Sequence, residues 1–134
     1  MSVYDKYEAV IGLEIHAQLS TKSKAYTSDS TEFGSLPNTN ISPISLGHPG
    51  TLPRLNKNNI DFAIKLGLAV NADIRERNEF ARKNYFYADL PKGYQITQDT
   101  TPICNNGYIT LFPNSKDEKK INITRIHLEE DAGK

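Results

Sequence analysis

The sequence predicts an α+β domain, and three of its segments carry that prediction. In residues 9–19, Ile11, Leu13, Ile15, Ala17 and Leu19 are apolar, while Glu14, His16 and Gln18 are polar. A period of two is the pattern of a half-buried strand. Residues 57–70 instead place Ile60, Ala63, Ile64, Gly67 and Leu68 on one apolar stripe at helical spacing. Residues 108–112 and 120–128 read as strands on either side of the polar loop 113–118, a hairpin pattern. These segments predict a largely antiparallel sheet with packed helices.

The elements follow in order. Residues 9–19 form the first strand, with Glu14 and His16 on one face, roughly 6.5–7 Å apart along it. Residues 20–55 are rich in Ser, Thr, Asn, Pro and Gly and read as a long ordered or semi-ordered loop, with one short strand around 41–46. Asn56 is the expected N-cap of the helix and Asn71 its stop. Phe62, Leu66, Ala69 and Val70 widen the apolar stripe, so the helix is expected to be well buried. Gly67 lowers helix stability there and points to close packing. Short extended pieces follow around 84–87 and 94–97, joined by Pro91-Lys92-Gly93. In the last strand Ile121 and Ile123 have one parity, Ile126 and Leu128 the other. A bulge near Thr124 or Arg125 would restore a single apolar face.

The bulk properties narrow the function. The chain of 134 residues suffices for one domain, able to bury roughly two-thirds of its unfolded surface. Formal net charge is +0, so no bulk field drives it onto nucleic acid or membrane. Its single cysteine, Cys104, allows no intrachain disulfide and reads as a small buried residue. There is no signal-peptide h-region and no run of transmembrane length, so a cytoplasmic protein is expected. Asn40 and Asn122 are then chance sequons. The chain stops directly after its most charged short motif, which reads as a fragment of a longer protein.

Three constellations carry chemistry. Glu14 and His16, joined by Glu129 and Glu130, would give a carboxylate-rich set with one imidazole, suited to Mg²⁺ or Mn²⁺. Zn²⁺ stays open, as does the plainer reading of two exposed strand faces. Residues 82–95 interleave Arg82, Lys83 and Lys92 with Tyr85, Tyr87 and Tyr94. Such a segment could face a nucleotide or RNA, or be an aromatic-rich strand pair with solvated cations. His48, between Gly47 and Pro49, is a turn histidine or a site residue. No P-loop and no dinucleotide-binding glycine motif is present, and no serine stands in a nucleophile elbow.

Taken in order, Val10-Ile11-Gly12-Leu13-Glu14-Ile15-His16, Pro37-Asn38-Thr39-Asn40, His48-Pro49-Gly50-Thr51-Leu52-Pro53, Arg82-Lys83-Asn84-Tyr85-Phe86-Tyr87, Pro91-Lys92-Gly93-Tyr94-Gln95-Ile96 and the ending 125–134 closely resemble the start of one family, the B subunits of the aspartyl/glutamyl-tRNA amidotransferases. The resemblance covers about Tyr7 to Lys134. It implies a fold of the glutamine synthetase and guanidino kinase type, the cradle domain, of which residues 1–134 would be the N-terminal part, with the remaining domains absent. It implies a carbon–nitrogen ligase with glutamine as amido-N-donor. ATP and Mg²⁺ (or Mn²⁺) would serve to phosphorylate the side-chain carboxylate of Glu or Asp mischarged on tRNA. Ammonia from the partner amidase, the A subunit, would displace the phosphate, with a small C subunit completing a heterotrimer.

Residue by residue, the resemblance implies metal ligands at Glu14, His16, Glu129 and Glu130. It implies catalytic roles, on the ammonia path or at the phosphate, for Lys83, Lys92 and Glu129. Arg82, Tyr85 and Tyr87 share the same motif and are expected to bind cofactor as a group. Two other classes compete: a tRNA- or subunit-docking module without its own chemistry, and a metal-dependent hydrolase. Independent activity of the fragment is not expected.

Overall fold

Asn56 starts the helix as the sequence predicts. In the computed structural model, which describes residues 2–131, α1 spans Lys57–Ala69. Ala132, Gly133 and Lys134, the end of the last motif, lie outside the described residues. The Asn56 side-chain oxygen accepts from the Asn58 N–H at 3.0 Å, satisfying a donor that a helix N-terminus leaves open. Its amide donates to the Ser23 carbonyl at 3.0 Å, so the cap also ties helix to loop. Asn71 takes a φ of 55°, the left-handed stop.

Seven short strands follow: β1 Asp73–Ile74, β2 Ala81–Asn84, β3 Tyr94–Thr97, β4 Cys104–Asn105, β5 Tyr108–Leu111, β6 Lys119–Asn122 and β7 Arg125–Ile126. They make a three-stranded sheet in the order β1-β4-β7 and two ribbons, β2-β3 and β5-β6, every pairing antiparallel. The α+β class follows. Register sets Ile74, Cys104 and Ile126 in one row across the larger sheet. That row meets Ala63, Ile103 and Leu128, with Ile60 and Ile64 of α1 packed against them.

Gly67 sits where α1 crosses Cys104. A Cβ there would stand 2.7 Å from the Cys104 Sγ. In an open helix Gly→Ala gains about 1 kcal/mol. Here overlap with the sulfur is expected to turn that into a net loss of about 1–3 kcal/mol. Pairing Gly67→Ala with Cys104→Ala makes room, and the double variant is expected to melt above Gly67→Ala alone. Thermal melts decide; a Gly67→Ala chain melting at or above wild type refutes the clash.

Four expectations need correction, and a fifth concerns the last strand. Residues 9–19 form no strand: Val10, Ile11, Leu13 and Ile15 are exposed, and only Leu19 packs on the core. Alternation assigns faces, but a strand also needs a partner for its backbone groups, and none of the described residues supplies one. Residues 41–46 are not a strand but turns, closed by Leu46 N–H to Ser42 O and His48 N–H to Pro43 O. The strand expected at 84–87 lies three residues earlier, as β2. Finally, α1 buries one face only; Leu66 and Leu68 are exposed. The accessible surface is 10715 Å², against about 7,000 Å² for a compact monomer of this mass.

The parity slip in the last strand has a different cause from a bulge. β6 pairs with β5, and β7 pairs with β4. The apolar face changes because the chain changes sheets between Asn122 and Arg125.

The loop 20–55 is ordered by polar bonds. Asp29 accepts from the hydroxyls of Ser42 and Ser45, drawing the turn at 42–48 onto the segment before it. Burial alone would raise the Asp29 pKa; hydrogen bonds from Ser45, Thr27 and Ser42 and the Lys24 charge outweigh it and hold the carboxyl below its usual range.

Candidate active site

β2 and β3 and the segment after β7 surround an open cleft of about 310 Å³, lined by Glu14, Arg82, Lys83, Thr97, Arg125, His127 and Glu129 among others. Glu129 is its best-held carboxylate. One oxygen lies 3.5 Å from His16 Nδ1. The other lies 3.2 Å from His127 Nε2 and accepts from the Thr97 hydroxyl at 3.4 Å. His16 Nε2 in turn lies 3.9 Å from a Glu14 oxygen. The two ends of the sequence therefore do meet, in the series Glu14–His16–Glu129–His127. The Glu14 and His16 side chains are 79% and 71% exposed and Glu129 only 22%, so a fixed carboxylate meets a solvent-facing pair.

Glu130 is engaged elsewhere. Its carboxylate contacts Lys92 Nζ at 2.5 and 2.6 Å and accepts from the Ile96 N–H at 2.6 Å. The Lys92 side chain is 5% exposed, with its ammonium 5.1 Å from the Tyr94 ring centre. This buried pair stands beside the Glu129 group without joining it. Tyr26, 3% exposed, has a hydroxyl with no hydrogen-bond partner among the described residues. Burial, then the charges of Glu130 and Glu129, push its pKa well above the ordinary tyrosine value.

The expected nucleotide-facing residues divide. Lys83 and Arg82 line the cleft, Arg82 with its guanidinium 4.3 Å from the Tyr94 ring centre. Tyr85 and Tyr87 stack on each other at 4.4 Å and are not among the cleft's lining residues. His48 closes the turn at 42–48 through its backbone. The donor types of Glu14, His16 and Glu129 suit a hard cation. Their spacing does not, since no three His, Cys, Asp or Glu side chains among the described residues stand as a set able to hold a metal ion.

Sequence reasoning missed Thr97, Gln98 and Tyr26. Each lies in an ordinary-looking stretch, and what distinguishes them is burial, with Thr97 and Gln98 lining the cleft and Tyr26 within the field of Glu130 and Glu129. The signal nearest to hand was the polar run Thr97-Gln98-Asp99 directly after Ile96.

Glu129 bracketed by imidazoles, with Arg82 and Lys83 on the facing ribbon, makes this a cleft lined by charges of both signs. Residues 9–134 match the family model described as the GatB/GatE catalytic domain, and the chain belongs to that family. It is similar to the B subunit of the aspartyl/glutamyl-tRNA(Asn/Gln) amidotransferase of Bdellovibrio bacteriovorus, 60% identical over 128 residues, and to that of Clostridium tetani, 57% identical over 128 residues. Each of these alignments covers 96% of this chain and 27% of the relative. The same-named protein of Salinibacter ruber is 52% identical over 139 residues, covering 98% of this chain and 27% of the relative. The chain thus spans about a quarter of the length of the curated relatives it matches. No helix among the described residues is long and apolar enough to cross a membrane.

Proposed function

We propose that this chain supplies the catalytic cleft in the B subunit of a glutamine-dependent tRNA amidotransferase of the cytoplasm. Residues 1–134 would be the N-terminal part of a cradle domain of the glutamine synthetase type. The reaction is amide formation on Glu or Asp mischarged on tRNA, after ATP-dependent phosphorylation of the side-chain carboxylate. The partners are the amidase, or A subunit, which releases ammonia from glutamine, and a small C subunit. The observation that carries the reading is the meeting of Glu14 and His16 with Glu129 beside Lys83, in a chain of this family.

A carboxylate accepts ammonia poorly until its oxygen becomes a leaving group. Lys83 and Arg82 stand where an anionic phosphate or carboxylate would be drawn in. Glu129 holds both imidazoles and can take a proton from ammonium as it enters. Lys92 and Glu130 form a largely buried charged pair next to it, which would give an ammonia path a polar point. Mg²⁺ or Mn²⁺ would neutralise phosphate charge when bound, but Glu14, His16 and Glu129 as they stand here are not spaced to hold it, and the roles above belong to the side chains alone.

The test uses the complete amidotransferase complex that includes this sequence. Glu14→Gln and His16→Ala are each expected to abolish ATP-dependent phosphorylation of glutamyl-tRNA while sparing glutaminase activity in the partner. Wild-type amide formation in both variants would sink the proposal. The exposed β2 ribbon also favours a second reading, a docking surface for tRNA or a partner protein of the complex. Lys83→Ala separates them: weaker binding with unchanged turnover at saturation supports docking, and lost turnover with unchanged binding supports catalysis.

A further inference from the structure

Gln98 follows β3 and is 1% exposed. Its carboxamide oxygen accepts from the Ile103 N–H at 3.0 Å and the Leu128 N–H at 3.1 Å, and its nitrogen donates to Asn78 Oδ1 at 2.7 Å. One amide therefore joins the end of β3, the entry to β4 and the segment that leaves β7. Leu128 lies between His127 and Glu129, whose side chains meet in the cleft. Beyond β7 the backbone leaves the β4 ladder, and the Leu128 N–H is satisfied by Gln98 in its place. Two residues later the Glu130 N–H returns to the Ile96 carbonyl at 3.0 Å. Glu129 is thus bracketed by two fixed amides. The Leu128 side chain is itself in the core, which stops the segment from sliding.

We propose that Gln98 is a positioning residue: through the Leu128 N–H it sets where Glu129 and His127 stand in the cleft. The inference rests on the cleft reading above for its effect on catalysis, though not for its effect on Leu128. An apolar side chain of the same length leaves two buried N–H groups unpaired. The segment then relaxes, and a displacement of about 1 Å at a reacting group lowers turnover by about 100-fold. A glutamate at 98, kept protonated by its burial, offers one oxygen as acceptor to both N–H groups and donates from the other to Asn78 Oδ1, as the amide nitrogen does.

The test compares Gln98→Met and Gln98→Glu in the complete complex that includes this sequence. Backbone hydrogen exchange and steady-state amide formation are read together. In Gln98→Met, exchange in the peptide 126–131 is expected to rise by about tenfold while the α1 peptide stays protected. Its kcat is expected to fall by about 100-fold with little change in KM for the aminoacyl-tRNA. Gln98→Glu is expected to keep the protection and most of the kcat. Unchanged exchange at 126–131 and unchanged kcat in Gln98→Met overturn the proposal. So does a Gln98→Glu complex that loses as much as Gln98→Met, and this arm decides if the methionine variant fails to assemble. If Glu129→Gln leaves amide formation intact while exchange at 126–131 still rises in Gln98→Met, the cleft reading fails and the anchoring of Leu128 by Gln98 stands.

Discussion

Replacing Glu129 by glutamine in the complete complex is expected to lower amide formation by about 10²–10³-fold, with little change in melting temperature. The side chain is isosteric, so packing is kept. What is lost is the charge that holds His16 on one oxygen and His127 on the other. The amide nitrogen also brings a donor where the imidazoles and Thr97 need an acceptor. The partners of Glu129 are imidazoles and a hydroxyl, so the substitution leaves no buried ammonium such as Lys92 without a counter-charge, and the effect falls on chemistry. Rates with saturating ATP and mischarged tRNA, beside the partner's glutaminase rate, check it. A Glu129→Gln complex within a few-fold of wild type would remove Glu129 from the active centre.

The neighbouring Lys92–Glu130 pair is expected to show the opposite balance. Lys92 is almost wholly buried, and Glu130 answers it with both oxygens. Lys92→Met leaves a carboxylate and Glu130→Gln an ammonium without its counter-charge, and each is expected to destabilise the fold by about 3–5 kcal/mol. The double variant Lys92→Met with Glu130→Gln removes both charges and keeps an acceptor for the Ile96 N–H. It is expected to recover most of that loss, since replacing a buried pair as a whole is often nearly neutral. Denaturant melts of the four proteins close the cycle. Additive losses would show that the two charges do not depend on each other. If the double variant is stable yet inactive, the pair is retained for function rather than for the fold.

Adjacent residues of one motif, Glu129 and Glu130, thus carry different expectations for a reason that spacing does not contain. Along the chain they are equivalent acids. In space one faces the cleft and the other is covered by Lys92 and the β3 backbone. Spacing likewise offers no way to rank Lys83 against Lys92. Lys83 stands in the open cleft, and Lys92 is buried against Glu130 and the Tyr94 ring. Tyr85 and Tyr87, grouped with Arg82 by their motif, stack on each other instead of joining it at the cleft.

By itself the sequence determined the family, the helix with both its ends and the α+β class. Those are legible because caps, helical period and family motifs are local, whereas the meeting of residues 14–16 with residue 129 stays open in the sequence beside the reading of two exposed faces. Only the tertiary structure decided which apolar runs find partners. Residues 9–19 have the alternation of a strand and remain uncovered, and residues 120–128 divide between two sheets. It also decided that Gln98 anchors the segment carrying Glu129. The physical reason is common to all three. A side-chain pattern states which face prefers to be buried, whereas hydrogen-bond partners and counter-charges are supplied by residues far away in sequence.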